Sequence, residues 1–205
     1  MISTNLKQAV ALLNQNQIIG FPTETVYGLA GNAFSEVVIK KIYEVKKRPS
    51  YNPLIVHIKS FDVIDTVATE IPEKAQVLAH AFWPGPLTMI LPKAKDVLDE
   101  LTGGQETVGL RCPSHPVALK ILEQFGGGLA APSANRFGCL SPTCAAHVEE
   151  EFSPVTIDNL FLPTLQVIDG GACEVGIEST IVDLSRIDTL GPVILRPGVI
   201  TAKQI

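Results

Sequence analysis

Apolar side chains recur at helical spacing early in the chain, where Leu6, Ala9, Val10 and Leu13 share a face behind Thr4 and Asn5, either of which can cap. That spacing predicts a helix, and the run from Ile18 to Pro22 predicts a short buried strand after it. A second helix is expected from Ser35 to about Lys47, with Val38, Ile39, Ile42 and Tyr43 on its stripe, then a strand over Leu54 to Ile58. Ile71 to Phe82 predicts a third helix with Pro72 in its first turn. Leu87 to Leu91 follows as a strand beyond a stiff Trp83-Pro84-Gly85-Pro86 corner.

Further strands are expected at Thr107 to Arg111, Leu129 to Ala131, Val167 to Asp169, Ser179 to Asp183 and Val193 to Arg196, with helices at about Pro116 to Phe125 and Cys144 to Phe152. Alternation of this kind predicts an α/β fold in one domain, residues 1–205, with a sheet flanked by helices. Strands near the end have little helix between them, so the sheet is expected to be mixed. The segment Asn135 to Pro142, with Gly138 and Pro142, reads as a mobile loop.

Composition narrows the function classes. With 46% hydrophobic and 18% charged residues the chain fits a compact domain, and its formal charge of −5 argues against tight, non-specific nucleic-acid binding. Any anion site must then be a local cluster. Cys112, Cys139, Cys144 and Cys173 have no metal-like spacing, so structural zinc is not expected. No apolar run approaches the ~20 residues of a membrane helix, and a cytoplasmic protein with reduced thiols is expected.

The densest basic stretch ends at Lys46-Lys47-Arg48, before Pro49. Proline disfavours a helical Arg48, and in an extended chain residues two apart share a face, so Lys46 and Arg48 are expected to reach one anion. Ser133 and Asn135 have the same spacing and offer hydroxyl and amide groups. An exposed basic helix end explains the cations equally well on spacing alone. Neither common glycine-rich phosphate motif occurs, so a bound nucleotide would need side chains from several loops. Arg196, before Pro197-Gly198, is a third cation for that purpose. Glu24 and Glu178 are the acids to consider as general bases, with Glu24 equally able to satisfy turn backbone groups.

Phe21-Pro22-Thr23-Glu24-Thr25-Val26-Tyr27-Gly28, Lys46-x-Arg48-Pro49, Asn52-Pro53-Leu54-Ile55-Val56-His57, Trp83-Pro84-Gly85-Pro86-Leu87-Thr88, Ser133-x-Asn135, Gly176-x-Glu178-Ser179-Thr180 and Leu195-Arg196-Pro197-Gly198 follow one another along the chain. In that order they resemble the YrdC-like threonylcarbamoyl-AMP synthase family. The resemblance implies a twisted, open mixed sheet with a concave, positively charged cavity. It implies an enzyme that joins L-threonine, bicarbonate and ATP into threonylcarbamoyl-adenylate and pyrophosphate for tRNA modification, with magnesium on the phosphates and downstream proteins that transfer the product to tRNA.

By the same resemblance Lys46, Arg48, Thr107, Ser133, Ser141 and Arg196 surround ATP, Thr23, His57, Arg111 and Ser179 surround threonine, and Lys46, Arg48, Ser133 and Asn135 carry catalysis. No metal-ligating side chains are implied. Ala131 stands where many relatives have a hydroxyl residue, and the chain resembles a short form without the extra domain of longer relatives. Two other functions remain open at this point: a carbamoyl-adenylate-forming carbamoyltransferase, and a non-catalytic module with weak RNA binding on the concave face.

Overall fold

A computed structural model describes residues 1–153 and 165–205. The expected helices form as α1 (Leu6–Asn14), α2 (Glu36–Lys46), α3 (Glu73–Phe82), α5 (Pro116–Phe125) and α6 (Ala145–Glu151), joined by the short α4 (Asp99–Thr102) and α7 (Ile187–Leu190). Asn5 caps α1 by accepting from the Gln8 amide at 3.1 Å. Pro72 caps α3 from outside with an extended backbone instead of occupying its first turn.

The strands are β1 (Ile2–Ser3), β2 (Ile19–Phe21), β3 (Gly28–Asn32), β4 (Ile55–His57), β5 (Leu87–Pro92), β6 (Thr107–Arg111), β7 (Leu129–Ala130), β8 (Gln166–Ile168), β9 (Thr180–Asp183) and β10 (Val193–Arg196). They form one ten-stranded sheet ordered β1-β8-β2-β3-β7-β4-β6-β5-β9-β10. Pairing is parallel for β1 with β8, β2 with β8, β4 with β6 and β5 with β9, and antiparallel elsewhere, so the sheet is mixed as expected.

Two apolar cores hold the layers together. Ala9, Val10 and Leu13 of α1 and Ala118, Ile121 and Leu122 of α5 pack with Ile19, Phe21, Ala30 and Leu129 of the sheet. Val38, Ile39 and Ile42 of α2 and Leu78 of α3 belong to the larger core with Leu29, Val56 and Ala130. Neighbouring residues of one strand thus feed different cores, as alternation across a strand requires. His57 meets Phe21 edge-on, with ring centroids 6.0 Å apart, so its side chain emerges on the α1 and α5 face.

That face carries the row of residues on which the site is built. His57 on β4 pairs with Arg111 on β6, Thr88 continues the β5 to β6 ladder next to Arg111, Thr88 pairs with Ile181 on β9, and Ile181 pairs with Arg196 on β10. One register line therefore brings an imidazole, two guanidiniums and a hydroxyl together from strands far apart in sequence.

Candidate active site

A hollow whose empty space, open mouth included, is about 530 Å³ opens over this row, lined by Thr23, Thr25, Arg48, His57, Arg111, Ser133, Glu178, Ser179 and Arg196, with Gly28, Ile55 and Ala131 also in its lining. Three arginines and one carboxylate thus face the same small space. Each is placed by a different local device.

Arg111 is the most constrained. Its guanidinium donates to Glu24 Oε1 at 2.7 Å, Thr25 Oγ1 at 2.8 Å and the Gly85 carbonyl at 3.3 Å, and both members of the ion pair are almost wholly buried. Guanidinium carries five N–H donors, so one remains on each terminal nitrogen for a planar anion. The Trp83-Pro84-Gly85-Pro86 corner therefore does more than turn the chain, since it supplies one of the three oxygens that fix Arg111. Glu24 is absorbed by this pairing through Oε1, and its Oε2 is buried without a hydrogen-bond partner among the described residues.

His57 lies beside Arg111 and is 3% exposed. Burial, reinforced by the Arg111 charge, pushes its pKa down to about 3, so the imidazole is neutral at pH 7. Its Nδ1 has no partner among the described residues. The neutral ring thus lines the hollow beside Arg111 without adding charge to it.

Thr23 lines the hollow, but its hydroxyl is committed to the turn that follows. It donates to the Val26 carbonyl at 2.6 Å and accepts from the Thr25 and Val26 amides. Thr23 thereby orients Thr25, whose hydroxyl meets Arg111. Ser179 Oγ lies 2.8 Å from Thr88 Oγ1 and accepts from Arg196 at 3.1 Å. Thr25, which lines the hollow, and Thr88, which supports Ser179 from outside it, are not singled out by the sequence, although both stand inside the strings that carry the family resemblance.

Arg48 and Lys46 diverge. Helix α2 runs through Lys46, and Lys47 then takes a left-handed conformation, φ 51° and ψ 37°, as its cap. The expectation of an extended chain with both cations on one face is therefore corrected: the helix end and the left-handed cap turn them apart. Arg48 donates to the Asn52 and Pro53 carbonyls at 3.0 and 2.9 Å, with Phe137 against its guanidinium, and reaches the hollow. Lys46 does not line the hollow. It is 1% exposed and its Nζ donates to the carbonyls of Ser133 and Asn135, while its own carbonyl accepts from the Phe137 amide at 2.8 Å. Burial, with Arg48 adding to it, lowers its pKa to about 7, against the opposing pull of Glu178 and Glu151. Burial likewise lowers the pKa values of Arg48 and Arg196 from their ordinary range.

Ser133 faces the hollow, whereas Asn135 faces an adjoining groove with Ser141, and its amide donates to the Arg136 and Cys139 carbonyls. Ser141 Oγ donates to Glu178 Oε1 at 2.9 Å. Arg196 donates to the Ser179 carbonyl at 3.0 Å and pairs with Glu178 Oε2. Thr107 opens β6, four residues before Arg111, and is not among the residues lining the hollow. The structure thus gathers Thr23, Arg48, His57, Arg111, Ser133, Ser179 and Arg196, sets Asn135 and Ser141 on the next groove, and leaves Lys46 and Thr107 outside.

Fold and hollow together define a class: an α/β protein whose strands and loops bring guanidiniums, hydroxyls and a neutral imidazole around one small hollow. The family model Sua5/YciO/YrdC, described as telomere recombination, matches residues 11–198. Over 200 residues the chain is 45% identical to the threonylcarbamoyl-AMP synthase of Pyrococcus abyssi, covering 98% of this chain and 56% of that protein. Over 208 residues it is 47% identical to the synthase of Bacillus subtilis, covering 100% and 57%. The crystal structure of P. abyssi Sua5 complexed with L-threonine aligns at a TM-score of 0.85 and 47% identity, covering 94% of this chain and 54% of that one. The chain belongs to the Sua5/YciO/YrdC family. It spans little more than half the length of the curated relatives it matches.

Proposed function

We propose that this chain, as one YrdC-like domain over residues 1–205, makes threonylcarbamoyl-adenylate from L-threonine, bicarbonate and ATP, releasing pyrophosphate and water. The observation that carries the reading is the register row His57, Arg111, Thr88 and Arg196, lying beneath a hollow that Arg48 and Ser133 also line. The curated relatives named above supply the identity of the reaction.

In this reading the two free N–H groups of Arg111 hold the threonine carboxylate, and the neutral His57 ring stands beside its hydroxyl or the carbamate. Ser179 and the turn built by Thr23 close the same subsite. Arg48, Ser133, Arg196 and Ser141 receive the triphosphate, Lys46 holds the wall that carries Ser133, and Thr107 stands on the sheet face below. The threonine amine attacks bicarbonate to give a carbamate with loss of water. A carbamate oxygen then attacks the α-phosphorus and pyrophosphate leaves. Positioning and neutralised charge carry such a step, without a nucleophilic side chain.

Among the described residues no three His, Cys, Asp or Glu side chains converge as a metal site, and Glu24 and Glu178 both engage arginines. Magnesium is therefore proposed to arrive with the nucleotide, held by phosphate oxygens and water. The adenylate would pass to proteins that transfer it to tRNA. A cytoplasmic site of action is proposed with that transfer; separately, no described helix is long and apolar enough to cross a membrane.

The deciding experiment supplies ATP, magnesium, bicarbonate and threonine to folded protein and follows pyrophosphate and adenylate. Threonine-dependent turnover is expected. Turnover with carbamoyl phosphate and none with threonine would replace the reading with the carbamoyltransferase, and salt-sensitive RNA binding without any adenylate would replace it with the binding module.

A further inference from the structure

Glu178 is the only carboxylate among the described residues lining the hollow, and both of its oxygens are in use. Oε1 accepts from Ser141 and Oε2 from Arg196, two of the groups assigned above to the triphosphate. Its side chain is about one-third exposed, so it stands at the mouth and can swing away without leaving a buried charge. The same carboxylate supports the charged forms of Lys46, Arg48 and Arg196, while Arg196 and Arg48 weaken their cationic neighbours. One anion of the protein thus balances three cations that would otherwise repel each other.

We propose that Glu178 is a resident anion that holds Ser141 and Arg196 until a polyphosphate displaces it, and so sets the affinity a phosphate ligand must exceed. The inference rests on the reading that the hollow receives a nucleoside triphosphate. Displacement requires a ligand that offers the arginines more than one carboxylate does. A chain of phosphates reaching Arg48, Ser133 and Arg196 together meets that requirement, because each charge-assisted contact adds to the last. Inorganic phosphate or a monophosphate, touching only one of them, exchanges one anion for another with little gain. Glu178 therefore sets a threshold that a long phosphate chain clears and a single phosphate does not.

Isothermal titration of wild type and Glu178→Gln with inorganic phosphate and with pyrophosphate tests this. Wild type is expected to prefer pyrophosphate strongly. Glu178→Gln, which keeps shape and removes the charge, is expected to bind phosphate and pyrophosphate each roughly tenfold or more tighter, the worth of one charge-assisted contact. Phosphate binding no tighter than in wild type would overturn the inference. If melting shows that Glu178→Gln is unfolded, Glu178→Asp carries the test: it retains the charge but is one methylene too short to span both partners, so tighter phosphate binding supports the inference and unchanged binding overturns it. Threonine-dependent turnover separates the two levels. Its absence beside tightened phosphate binding sinks the reaction and leaves Glu178 its role, and turnover without tightening does the reverse.

Discussion

Lys46 and Arg48 show how two cations, two residues apart, come to do different work. Lys46 is enclosed and bonds the carbonyls of Ser133 and Asn135, so it braces the wall from behind, whereas Arg48 reaches the hollow itself. Replacing Lys46 with Met strands two carbonyls and is expected to cost about 1–3 kcal/mol of stability. Faster amide exchange over residues 133–139 is expected with it. Arg48→Ala is expected to lower kcat/KM for ATP tenfold or more, about 1.4 kcal/mol of binding, with a smaller loss of stability because the side chain is only partly enclosed. Denaturant titration, hydrogen exchange and steady-state kinetics on the two variants separate brace from ligand. Equal effects on stability and on ATP in both would abolish the distinction.

At the level of elements, legibility followed periodicity. Helices α1, α2, α3 and α5 and strands β2, β4, β5, β6 and β9 announce themselves because their apolar residues repeat at the right interval and carry buried area. Strand β3, Gly28-Leu29-Ala30-Gly31-Asn32, does not, because packing demands small residues exactly where strand propensity wants large ones. A Cβ on Gly31 would lie 2.3 Å from Val38 Cγ1 of α2 and 3.2 Å from Ile18 Cγ2, and one on Gly28 would press on Ala131 at 3.2 Å. The candidate residues were legible as motifs, but the parting of Lys46 and Arg48 was not, since it depends on a helix that runs through Lys46 and a left-handed Lys47 that no spacing rule supplies. Thr107 shares that limit: alternation puts it on the face of Arg111, while distance along β6 keeps it from the hollow. Gly31→Ala should push α2 off the sheet, costing about 1–3 kcal/mol. Because α2 ends at Lys46 and leads into Arg48, the KM for ATP should rise with it. Chemical denaturation and ATP kinetics check the pair, and lost stability with an unchanged KM would show that α2 does not transmit the strain.

Across the whole molecule, buried titratable groups set how stability depends on pH. His57 has a folded pKa of about 3 against an ordinary 6.5, so between those values the unfolded chain holds a proton that the folded chain lacks, and stability falls as pH drops through that window. Lys46, at about 7 against 10.5, has the same sign: the unfolded chain binds more protons from pH 7 to 10.5, and stability rises with pH there. Cys112 and Cys173, raised to about 11 from 9, and Tyr27 and Tyr43, raised to about 12 from 10, act oppositely, because the unfolded chain loses those protons first. Above pH 9 their combined loss outweighs the gain from Lys46, so maximum stability is expected near pH 9, on the alkaline side of neutrality. Urea titrations from pH 5 to 10 should show a rise, a summit and a fall. A single uncompensated proton changes stability by at most about 1.4 kcal/mol per pH unit. His57→Gln should flatten the slope between pH 5 and 6.5 without altering the alkaline limb, and Lys46→Met should remove the rise between pH 7 and 9. A slope below pH 6.5 that survives in His57→Gln would mean that other groups carry the acid limb and that the imidazole takes up its proton in the folded chain.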